Sequence, residues 1–104
     1  MSITPIKVAS GTGTGGSVTV YTVPAATTLV LKQANFGNTT AGALTFTLAC
    51  NDGTADRALE TGKSINANSS YQPAGVVDLV LPTGSLVKVN AAIGIDYWIS
   101  GFTV

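Results

Sequence analysis

Along most of this chain apolar and polar side chains alternate in short runs, with Gly, Pro, Asn and Asp clustered between the runs. A period of two puts every second residue on one side of an extended backbone, so the pattern specifies half-buried strands and leaves no stripe for an amphipathic helix. The expected strands are 3–9, 17–23, 28–36, 43–50, a weak 57–60 or 63–66, 76–81, 85–90 and 95–104. Turn chemistry separates them: Gly11 to Gly16, Pro24 to Ala26, Gly37 to Gly42, Asn51 to Gly53, Pro82 to Gly84 and Ala91 to Gly94. Seven or eight antiparallel strands at this spacing predict an all-β fold, a single jelly-roll-like β-sandwich. The 104 residues hold one such domain, with 17–104 as the sandwich and 1–16 as an N-terminal arm and Gly-rich loop.

The phase of each run assigns its faces. In 43–50, Leu44, Phe46, Leu48 and Cys50 share the side that must be buried, and Ala43, Thr45, Thr47 and Ala49 share the other. Asp78 turns outward and sends Val77, Leu79 and Leu81 to the core, as Lys88 does for Val87 and Val89. Strand 28–36 changes phase, because Ala34 and Phe36 fall on the Lys32 side, and a bulge near Lys32-Gln33 repairs it.

Composition narrows the chemistry. The chain has no His, so Ser-His-Asp and Cys-His catalysis, the commonest zinc sites and the usual pH switch are closed to it. Five Lys+Arg against five Asp+Glu leave zero net charge, which disfavours a nucleic-acid partner. No catalytic, cofactor-binding or metal-binding set is expected, and the chain reads as non-enzymatic. MSITPIKVAS lacks the apolar core of a signal peptide, and no run approaches the roughly 18 apolar residues of a membrane span, so a product made in the cytoplasm without a membrane partner is expected. Charged residues are only 10% of the chain, so charge does little to hinder association, and a subunit of an assembly is expected.

Apparent motifs dissolve in context. Gly11-Thr12-Gly13-Thr14-Gly15-Gly16 matches G-x-G-x-x-G, but the alternating run 17–23 follows where a helix should hold a pyrophosphate. Gly62-Lys63-Ser64 imitates the end of a P-loop, with Arg57 in place of its first Gly. Ser85 and Lys88 have S-x-x-K spacing on opposite faces of one strand. Asp52 and Asp56 offer two carboxylates where calcium wants six to eight oxygens. Asn38-Thr39-Thr40 and Asn68-Ser69-Ser70 are sequons without a secretory signal, and the single Cys50 is a small buried hydrophobe.

The C-terminal run is apolar on both faces, with Ile95, Tyr97 and Ile99 on one and Trp98, Phe102 and Val104 on the other. A monomer core consumes one face, which leaves the second for a neighbour or for a covering loop. Ile3 and Ile6 flank Pro5 in the N-terminal arm, which is expected to order against a neighbouring subunit. Candidate interface residues are therefore Ile3, Pro5, Ile6, Trp98, Phe102 and Val104.

Tyr21-Thr22-Val23-Pro24-Ala25, then Thr28 to Lys32, the Asn35 to Gly42 turn, Leu59 to Ile65, Leu79 to Val89 and Tyr97 to Gly101 carry a resemblance. Over most of 18–104 the chain resembles small β-rich virion structural proteins of tailed bacteriophages. These motifs are strand-and-turn patterns of moderate specificity and bring no catalytic residues across. The resemblance implies a structural role in the virion: a capsid cement or decoration protein that binds itself, as a homotrimer, and the major capsid protein. A tail, fibre or baseplate module is the alternative, and a carbohydrate-binding sandwich that stacks Tyr71 or Trp98 on sugar is a third reading.

Overall fold

A computed structural model describes residues 3–104. Among them nine strands form: β1 (Thr4–Thr12), β2 (Ser17–Thr22), β3 (Leu29–Asn38), β4 (Leu44–Asn51), β5 (Asp56–Ile65), β6 (Ser69–Tyr71), β7 (Leu79–Leu81), β8 (Leu86–Ala91) and β9 (Ile95–Thr103). One sheet runs β1-β9-β3-β6, with β7 sharing the same edge of β3 as β6. The other runs β2-β8-β4-β5, and every pairing is antiparallel. This alternation of chain segments between two sheets is a jelly-roll order, so the expected all-β sandwich is the fold observed.

Each sheet turns one face inward. Leu29, Leu31, Ala34, Phe36, Ile95 and Ile99 come from the first sheet and meet Phe46, Leu48, Cys50, Ile65, Val87 and Val89 from the second. The phase change in β3 is resolved by a register shift between Leu31 and Gln33, which lets Leu31 and Ala34 both face the core. Gly101 of β9 lies opposite Leu31, where an added Cβ would run into the Val30 carbonyl, so this crossing of strands requires glycine.

Four expectations change. Met1 and Ser2 of the expected arm lie outside the described residues, but Thr4–Thr12 is no separate arm: it pairs along its length with β9. A bulge between Lys7 and Ala9 lets Val8 and Ala9 both turn inward, and Pro5 is tolerated because β1 is an edge strand. The two weak segments 57–60 and 63–66 belong to one strand, β5, whose two register shifts disguise its period. In 76–81, Val76 sits buried in a short 3-10 turn (Ala74–Val76), while Val77 is exposed, contrary to its expected inward placement. Asp78 has φ +60, and this left-handed residue resets the phase so that only Leu79 and Leu81 keep the inward side. Finally, β6 has no sequence signal, because Ser69-Ser70-Tyr71 is too short and polar to alternate.

Candidate functional site

The outer face of the first sheet is built by register. Val30 of β3 lies between Val80 of β7 and Phe102 of β9, and Phe102 lies beside Pro5 of β1. These four side chains make one apolar row across four strands, pointing away from the core because their neighbours Leu29, Leu31 and Leu81 point into it. Val80 is 60% exposed, while Val30 and Phe102 are partly covered by their neighbours. Bulges and a strand edge conceal this row in the sequence, since Val30, Val80, Phe102 and Pro5 come from four separate runs.

Trp98 projects from the same side of β9 and is 54% exposed. Its cross-strand neighbours are Ser10 and Asn35, and the Lys7 ammonium lies 5.4 Å from the ring centroid. Such a contact steadies the ring without covering it. Asn35 carries a buried Oδ1 with no donor among the described residues, which is uncommon. A shallow depression beside the ring is lined by Pro5, Ile6, Lys7, Lys32, Ser100 and Gly101.

Of the six residues expected at an interface, Pro5, Trp98 and Phe102 come together on this face. Ile3, 62% exposed, and Val104 lie near one another where β1 begins and β9 ends. Ile6, opposite Gly101, is half-buried against the core and also lines the depression beside Trp98. Val30 and Val80 belong to the face and were not among the expected residues.

The charges are satisfied within the subunit. Lys32 pairs with Asp78, Arg57 with Asp52 and Lys88 with Asp56. Lys7 lies over Trp98 and Lys63 over Tyr71, so all five cations are engaged. Asp96 accepts from Thr12 and Glu60 from Tyr71, which accounts for the last two carboxylates. The hydrogen bond to Glu60 pushes the Tyr71 phenol above its usual range. Asp52, too sparsely accompanied to hold calcium, closes the Asn51–Asp56 turn. Backbone N–H groups of Ala55 and Thr54 and the Arg57 side chain hold its carboxyl down to about 2. The two sequons also diverge: Asn38 is buried and hydrogen-bonded, whereas Asn68 is part of the turn before β6. Cys50 faces the core, and burial pushes its thiol up to about 11.

The chain matches no family model and no curated protein. Among solved structures it is similar to the Drosophila NLP core, described as giving insight into pentamer formation and histone binding. The likeness has a TM-score of 0.55 at 16% identity and covers 100% of this chain and 99% of that one. It is also similar to part of an infectious bursal disease virus structure, Gx strain, with a TM-score of 0.48 at 13% identity, covering 98% of this chain and 31% of that one. At 16% identity the likeness to the NLP core shows the sandwich fold alone.

Proposed function

We propose that this protein is a non-enzymatic structural subunit of a virion, a capsid cement or decoration protein of a bacteriophage. On this reading the apolar outer face of the first sheet seats on the major capsid protein. The observation that carries the reading is the row Val80–Val30–Phe102–Pro5 with Trp98 beside it, an apolar surface on the outer side of a sheet whose inner side already forms its part of the core. The resemblance of 18–104 to phage virion proteins supports the choice of partner. The histone-binding neighbour suggests another, but a net charge of zero, with each of the five Asp and Glu side chains already ion-paired or hydrogen-bonded within the subunit, gives little acidic surface to a basic protein.

Quantitative mass spectrometry of purified particles containing this chain tests the proposal. A cement protein is present in hundreds of copies and leaves under mild chaotrope, and Trp98→Ser lowers its occupancy. A few dozen copies would move the protein to the tail, and glycan binding by the isolated chain would favour the carbohydrate-binding reading.

A further inference from the structure

The lateral edges of the sandwich differ in how they resist strand addition. Edge strand β1 carries Pro5, Lys7 and a bulge. Edge strand β5 carries Asp56, Arg57, Glu60 and Lys63, two register shifts and the left-handed Gly62. β6 and β7 are three residues each, with Asp78 adjoining β7. All of these are devices that stop a foreign strand from pairing. β2, Ser17-Val18-Thr19-Val20-Tyr21-Thr22, is six residues long with no charge and no proline, and its one irregularity is a bulge at Val20. It ends its sheet, so one side of its backbone pairs with no strand among the described residues.

A second observation at the same edge points to an occupant. Val18 lies beside Val89, which is buried, so its side chain is on the core-facing side, yet it is 39% exposed. The core is open here, and an added strand would close it. The strand's own sequence fits the gap. Set antiparallel to itself about a two-fold axis, β2 places Ser17 opposite Thr22 of the other copy and Val18 opposite Tyr21. Outward Ser17 then meets outward Thr22, and inward Val18 meets inward Tyr21, because the bulge puts Tyr21 on the same side as Val18; the bulged Val20, which packs on the core, stays out of the pairing, and Thr19 faces Thr19 across the axis. A one-residue slip sets Tyr21 against Thr19 or Ser17, both outward, and loses this match.

We propose that β2 is a homodimerisation edge, at which two copies of this chain join antiparallel into a continuous eight-stranded sheet. The occupant is a second copy because the edge is complementary to itself in face and register, and because its lack of charge leaves nothing to repel it. An isologous contact of this kind gives even-numbered species, in place of the trimer suggested by the phage resemblance. It rests on the assembly reading above but uses a different surface from the Trp98 face, so the two fail separately.

The test exploits the pairing of Ser17 with Thr22. In Ser17→Lys/Thr22→Lys, like charges oppose each other at both ends of the paired strands, and self-association measured by sedimentation equilibrium weakens by about tenfold. In Ser17→Lys/Thr22→Glu, opposite charges face each other in the same places and association returns to the wild-type level or above. Both sites are exposed, and unchanged circular dichroism shows that the fold is retained. A wild-type chain that stays monomeric at high micromolar concentration, an odd-numbered ring, or two variants that associate equally would each overturn the edge pairing. Trp98→Ser is the control for the other surface: it leaves the β2 dimer intact while lowering particle occupancy.

Discussion

The ring of Phe36 on β3 stacks on that of Phe46 on β4, with centroids 4.0 Å apart and planes 12° from parallel. The contact joins the two sheets, and both rings are buried. Tyr97 packs against the far side of the pair at 6.0 Å from Phe36, and Tyr71 against Phe46 at 6.1 Å. These rings form an aromatic column within the larger core that Leu29, Leu31, Leu48, Val87 and Ile99 complete between the two sheets.

Phe36→Ala leaves a cavity at a fully buried position between the two sheets, so the domain loses about 3–5 kcal/mol. Urea denaturation followed by circular dichroism measures it; a loss below about 1 kcal/mol would mean that the column contributes little.

Asn38→Ala is nearly as costly although Asn38 is polar. Its Nδ2 donates to the Gly42 carbonyl at 2.7 Å and to the Ile65 carbonyl at 3.0 Å, while its Oδ1 accepts from the Thr40 N–H at 2.9 Å. The side chain thereby ties the β3–β4 loop to the end of β5, and its removal strands buried backbone groups. The expected loss is about 2–3 kcal/mol by denaturation. Thr40→Val, which removes only the hydroxyl at 2.7 Å from Oδ1, costs less.

Stability falls at both ends of the pH scale, from different residues. Asp52 is held at about 2, and Asp56 is lowered chiefly by the Asn51 amide. A carboxyl lowered in the folded state contributes above its unfolded value, near 4, and loses that contribution as pH falls toward 2. Both groups are exposed, so the acid limb is shallow and shrinks in salt. Cys50 behaves oppositely: its thiol is raised from 9.0 to about 11 by burial. Above pH 9 the unfolded chain releases that proton and the folded chain does not, so stability is present below 9 and is lost toward 11. Cys50→Ala flattens the alkaline limb of a denaturation-against-pH series, leaving the part due to Tyr71, whose phenol is raised by Glu60.

Self-association persists in high salt. Among the described residues three Lys and Arg side chains sit in ion pairs and the other two over aromatic rings, so what remains to bury is chiefly apolar side chain and strand backbone. Screening leaves such burial intact or strengthens it. Sedimentation in low and high salt reads this directly; dissociation as salt rises would show that ion pairs hold the assembly.

Trp98 is the single tryptophan and its ring is half exposed, so it reports on its own face. Its emission shifts to the blue when the first sheet's outer face is covered by a capsid partner. It stays unchanged when two chains join through β2.

The sequence by itself determined the sandwich, because a period of two sustained through Leu44 to Cys50, Val87 to Val89 and Ile95 to Ile99 admits half-buried strands and no helix. It also placed the bulge in β3, since a break in phase between Leu31 and Ala34 has no other remedy in a paired strand. Only the tertiary structure decided where the alternation fails. Val8 and Ala9 turn inward together, Val76 replaces Val77 in the core, and β5 runs through two irregularities, each because an extra or left-handed residue shifts which side faces in. The candidate surface was half legible for the same reason. Trp98 and Phe102 announce themselves within one strand, but Val30, Val80 and Pro5 become their neighbours only through inter-strand register, and register is set by long-range hydrogen bonding that local spacing does not encode.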